Sequence, residues 1–138
     1  MSNASAEMFK QLLEAKDMSF NILDKDGRVI ETGGRLENTR IRVVIVFSED
    51  NSDVSISATG FAEVPSDKVD KIINVCNDLN SHFRWVKFVY DKENEVLTAQ
   101  DDALVQLDSV AEEVFELVMR MISIVDEAYP TIMRALWA

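Results

Sequence analysis

Cysteine, histidine, proline, glycine and positive charge are all scarce in this chain. Its 138 residues hold one cysteine, one histidine, two prolines and four glycines. A single cysteine, Cys76, cannot form an intramolecular disulfide, so a reducing compartment is expected. Lone Cys76 and lone His82 stand six residues apart across a helix end. They read as a core thiol and a helix-ending cation rather than as a nucleophile pair or a metal-ligand set. No apolar run approaches the ~20 residues of a membrane helix. The start, MSNASAEMF, has no basic segment followed by an apolar one, so no secretory signal is read and a cytoplasmic location is expected. Within it, Ser2, Asn3 and Ala4 fit an expression scar. The 14 basic residues face 25 acidic ones, a net charge of −11. Such a field repels phosphate backbones and anionic lipid, so neither nucleic acid nor membrane is an expected partner.

What remains is a well-patterned chain of one domain's length, 1–138. Ser5 is placed to cap a short first helix with Met8, Phe9, Leu12 and Leu13 on one face. Phe20, Ile22, Val29 and Ile30 flank a turn at Asp24, Lys25, Asp26 and Gly27, whose glycine supplies positive φ. Gly33 and Gly34 read as a chain break. Residues 40–47 end in the run Val43, Val44, Ile45, Val46, Phe47, which predicts a strand covered on both faces. Val54, Ile56 and Ala58 alternate with Ser55, Ser57 and Thr59, which predicts a strand with one wet face. Ser66 is the expected cap of a second helix, with Val69, Ile72, Ile73, Cys76 and Leu79 as its apolar stripe. Residues 83–90 and 96–107 read as a hairpin. Asp108 or Ser109 then caps a long last helix, which Pro130 either kinks or restarts. The order α-β-β-β-β-α-β-β-α defines an α+β fold, with a mainly antiparallel sheet and helices packed on it.

The last helix carries more apolar surface than a sheet needs. Glu113, Glu116, Arg120, Ser123 and Glu127 occupy one narrow stripe, and apolar residues wrap over half the circumference. One sheet face requires only a roughly 100° arc. The surplus predicts either a cover within the subunit or a homodimer interface, and Phe115, Met119 and Ile122 are its expected centre.

Chemistry-bearing constellations are missing. Asp24, Asp26 and Gly27 imitate a calcium loop, but the glycine comes too early and later oxygen ligands are absent. Gly33 and Gly34 lack a phosphate-binding context. Acidic residues crowd from Asp91 to Glu116, which reads as a solvated rim. Within it, adjacent Asp101 and Asp102 must point to opposite sheet faces unless a bulge intervenes, and the bulge is the simpler expectation. Asn74, Asn77 and Asn80 follow one helix edge, with Asn80 a candidate C-cap at positive φ. Phe83, Trp85 and Val89 fit ordinary core, while Arg84, Trp85, Tyr90 and Trp137 are the candidate surface for a peptide. No catalytic, cofactor-binding or metal-ligating residue is assigned.

The run IINVCNDLNSHFRWVKFVYD, an acidic strand ending QDDALVQL and a helix reaching VDEAYPTIMRALW resemble the YbjN-like domain family. The resemblance covers roughly residues 64–137 of the chain. It implies a type III secretion chaperone-like fold, similar to the small acidic dimers that escort secreted effectors. It also implies a binding or sensory regulatory role in a bacterial cytoplasm, and it carries no catalytic residues across. The expected function is therefore a non-enzymatic, homodimeric protein-binding module, an adaptor or chaperone-like regulator without a cofactor. The alternative is a sensory regulator that binds a small molecule between sheet and helices.

Overall fold

The computed structural model of the chain describes residues 3–138. Its elements are α1 (Ala4–Ala15), β1 (Phe20–Ile22), β2 (Val29–Arg35), β3 (Arg40–Phe47), β4 (Asp53–Glu63), α2 (Val69–His82), β5 (Lys87–Asp91), β6 (Val96–Leu104) and α3 (Val110–Trp137). The expected order and the α+β architecture hold. The six strands form one sheet in the order β1-β2-β3-β4-β6-β5, with every neighbouring pair antiparallel.

All three helices lie on one face. Val43, Ile45 and Phe47 of β3, Val54, Ile56 and Ala58 of β4, and Leu97 and Ala99 of β6 point into that layer and are buried. α3 runs over β4 and β6, with α1 on one flank and α2 on the other. Phe9 of α1 meets Phe47 with ring centroids 5.7 Å apart. The opposite sheet face is uncovered. Val44 there is half-buried and Val46 is 37% exposed, so β3 is covered on one side only, against the expectation from its apolar run.

Several local expectations change for physical reasons. Asn3, not Ser5, caps α1: its Oδ1 accepts from Ala6 N at 3.0 Å, and its Nδ2 ties the helix start to Ser48 O. Of the presumed scar, Ser2 lies outside the described residues, whereas Ala4 is the first residue of α1. Ser66 opens a 3-10 turn, Ser66–Lys68, and gives no side-chain cap to α2. Ser109 holds the N-cap position of α3, but its Oγ donates to the Glu113 carboxylate rather than accepting from the helix backbone. α3 stays helical through the exposed Pro130, where neither a break nor a restart occurs.

Gly27 adopts the expected positive φ, +72°. Gly33 and Gly34 do not break the chain, because both lie inside β2. Gly34 is required by proximity: a Cβ there would stand 2.8 Å from Cγ1 of Ile122, so the glycine lets α3 approach the sheet.

Candidate functional site

The chain leaves α2 at His82 and turns at Arg84 and Trp85 before joining the sheet at Lys87. Trp85 makes that turn with φ +73°, and Val86 N donates to Arg84 O at 2.8 Å. A bulky residue in the left-handed region is uncommon, because its Cβ crowds the backbone. β5 consequently begins late. It pairs with residues 96–100 of β6 and leaves residues 101–104 with a ladder partner only in β4. That free edge borders a groove of about 250 Å³ lined by Trp85, Ala103, Leu104, Leu117, Glu116 and Arg120, among others.

Two apolar side chains stand in solvent here. Leu104 is 86% exposed and Trp85 is 55% exposed, and the Arg84 guanidinium lies over the indole at 5.6 Å. Leu107, just beyond β6, is also exposed. Glu116 pairs with Arg120 at 2.9 Å, while Glu113 accepts from Ser109 Oγ and Gln106 N. The rim therefore carries Glu113 and Glu116, with Arg120 paired to Glu116 and Arg84 over the indole.

Asp101 and Asp102 point to opposite faces without a bulge; the irregularity in this sheet falls between Ala58 and Ala62 instead. Asp102 lies on the open face and accepts from Ser55 Oγ at 2.7 Å. Asp101, opposite buried Ile56, points toward the helices, and its Oδ2 has no hydrogen-bond partner. Burial, reinforced by the neighbouring Asp102 charge, pushes its pKa up.

The candidate partner residues do not converge. Arg84 and Trp85 meet at the β6 edge. Tyr90 is half-buried opposite Leu97, toward the other end of β6. Trp137, 84% exposed, is not anchored onto the body; it closes a second groove of about 330 Å³ with Phe61, Tyr129, Met133 and Leu136. It follows Leu117 by 20 residues of α3, a helical rise of about 30 Å. Phe83 is half-buried, and Trp85 and Val89 are exposed, so the core of this segment is Val86 and Phe88.

Phe115, Met119 and Ile122 lie together on the flank of α3 and are half-buried within the subunit. Lys16 Nζ sits 4.6 Å from the Phe115 ring centroid, and Ile122 meets Gly34. Asn80 stays inside α2 rather than turning at positive φ. Its Oδ1 accepts from Phe88 N at 2.7 Å, and its Nδ2 donates to Phe88 O at 3.1 Å. Cys76 is a buried thiol whose pKa burial raises to about 11, and exposed His82 stacks edge-on against Phe83. Among the described residues no group of three or more His, Cys, Asp or Glu could hold a metal ion, and no helix is long and apolar enough to cross a membrane.

Sequence reasoning gave no surface role to Leu104, Leu107 or Leu117. For Leu104 a signal was present. It shares strand parity with Gln100 and Asp102, and an apolar residue on an otherwise polar face is a surface feature.

This α+β fold, a six-stranded antiparallel sheet with three helices on one face, is structurally similar to type III secretion chaperone folds. Over residues 5–134 the sequence matches the family described as "YbjN: Putative bacterial sensory transduction regulator", and the chain belongs to that family. The crystal structure of YbjN from E. coli, described as "a putative transcription regulator", is similar with a TM-score of 0.64 and 17% identity, covering 91% of each chain. A chain of the ExsC–ExsE complex is similar with a TM-score of 0.54 and 13% identity, covering 92% of this chain and 96% of that one. At these identities the likeness is one of fold. No curated protein is matched by the sequence.

Proposed function

We propose that the chain is a non-enzymatic protein-binding module, an adaptor or chaperone-like regulator acting as a single domain in a bacterial cytoplasm. It takes an extended segment of another protein at the free edge of β6. The observation that carries this reading is the stretch 101–104, unpaired on one side and flanked by exposed Trp85 and Leu104. A segment laid along this edge gains backbone hydrogen bonds from the strand and side-chain contacts from the groove. The net charge of −11 favours and speeds encounter with basic partners.

Two copies associate in this reading through the flank of α3, where Phe115, Met119 and Ile122 keep part of their surface. A dimeric mass at micromolar concentration, lost in Phe115→Asp, is expected. A monomeric wild type contradicts this part alone.

Affinity capture from the source bacterium's lysate tests the binding reading. One stoichiometric partner, lost with Trp85→Ser and Leu104→Ser and retained with Ile73→Ser, a change at a 48% exposed residue of α2, is the expected result. A partner indifferent to both edge substitutions contradicts the site.

The groove beside Trp137 favours a second reading, a small-molecule sensor, because its lining is largely apolar and aromatic. That reading predicts that a metabolite raises the melting temperature without any protein partner.

A further inference from the structure

Asp101 is 8% exposed, and its Oδ2 has no partner. A buried acceptor in that condition destabilises the fold unless a donor reaches it. Two residues further along the same face of β6 stands Ala103, which lines the groove with Trp85 and Leu117. Both residues belong to the stretch that β5 leaves free. The unsatisfied acid and the apolar slot therefore share one strand edge, at the spacing of alternate strand residues.

A free edge can take a second copy of itself or a strand from elsewhere. In antiparallel self-pairing diagonal like charges are within reach of one another, and an inward-pointing charge on an edge opposes such pairing. The chain's net charge of −11 adds to the repulsion. A basic strand turns the same carboxylates into attractions.

Building on the reading of this edge as the protein-binding site, we propose that it selects an extended peptide of the pattern basic-x-apolar. The basic side chain donates to Asp101, and the apolar one, two positions along, fills the groove against Trp85 and Leu117. A charged donor supplies the hydrogen bond that Asp101 Oδ2 lacks. Strand alternation brings both side chains to the helix-covered face of the sheet.

The test uses the full chain and the fluorescein-labelled peptide Gly-Thr-Arg-Thr-Leu-Thr-Arg-Gly, whose pattern fits either strand direction. Companion peptides carry glutamine in place of both arginines, or N-methyl groups on the backbone amides. Anisotropy titrations compare the wild type, Asp101→Asn and the charge-matched control Glu112→Gln, after circular dichroism has established that each variant is folded. The arginine peptide is expected to bind about tenfold more tightly than the glutamine peptide, and N-methylation is expected to abolish binding. Asp101→Asn should erase the preference for arginine, whereas Glu112→Gln should keep it. Equal affinity for the two peptides, or a preference that survives in Asp101→Asn, overturns the selection for a basic residue while leaving the strand site standing. Indifference to N-methylation, or no binding of any peptide up to millimolar concentration, overturns the strand site together with the selection.

Discussion

Asp101 is held where its charge is costly: on a central face of the sheet, under the helices, with one oxygen unsatisfied. Its pKa is raised above the ordinary value of 3.8, so the native state holds the proton more tightly than the unfolded chain does. Stability therefore falls as pH rises through the window above 3.8, and the full penalty is present above the folded-state value. Asp101→Val removes the charge at similar volume and should stabilise the fold at neutral pH by about 1–3 kcal/mol. Urea denaturation across a pH series should show that gain fading as the pH approaches 3.8. A gain independent of pH would assign it to packing instead. Asp24, Glu31, Asp50 and Asp91 have the opposite sign. Their values are lowered, chiefly by the Val29 backbone N–H and by the side chains of Arg42, Ser52 and Asn94 respectively. Their contributions are present above the ordinary carboxyl values and are lost as pH falls through the lowered ones. A substitution that stabilises the fold and weakens binding is the usual mark of a residue kept for recognition. At this scale the sequence was half legible. The adjacency of Asp101 and Asp102 forces opposite faces in a regular strand, but which carboxylate turns inward depends on pairing with β4. The left-handed turn at Trp85 had no signal, since no glycine or asparagine occupies that position.

Periodicity carried most of the elements. The stripe of α3, the wet face of β4 and the stripe of α2 follow from residue spacing, except that Ile73 of the α2 stripe is 48% exposed, and the element order follows with them. The errors over which faces are buried have a common cause, which is that coverage is a tertiary property. The apolar run of β3 reads as doubly buried, yet all three helices lie on the same side of the sheet. The surplus apolar surface of α3 is largely met by α1, α2 and the approach of β2 at Gly34. Asn80 shows an element-level linkage that spacing does not reveal. Its side chain mimics a strand partner and fastens the end of α2 to β5 through both polar groups of Phe88. Asn80→Ala leaves those groups unpaired by the side chain and should cost about 1–3 kcal/mol. Because β5 is an edge strand, the loss should concentrate there, seen as faster hydrogen exchange of the Lys87–Asp91 amides. Destabilisation spread evenly over the sheet would contradict that linkage.

Seen whole, the molecule has a one-sided helix layer, a bare sheet face and a strongly negative net charge. The acidic residues that run together in sequence divide in space. Asp91, Glu93 and Glu95 mark the turn that joins β5 to β6, while Asp101 and Asp102 lie on opposite faces of β6 and Glu113 and Glu116 on the first turns of α3. Two apolar grooves also stand apart, one at Trp85 and one at Trp137, toward opposite ends of α3. Composition foretold the field, and residue patterns foretold the layers. The site itself depends on where β5 starts, which is set by one turn at Arg84 and Trp85. The most direct measurement is amide hydrogen exchange of the full chain with and without a stoichiometric partner captured from lysate. The account predicts slowed exchange at residues 102–104, with Trp85 and Val86 also affected, and little change around Trp137. Protection confined to the Trp137 groove, or no protection along β6, would contradict it.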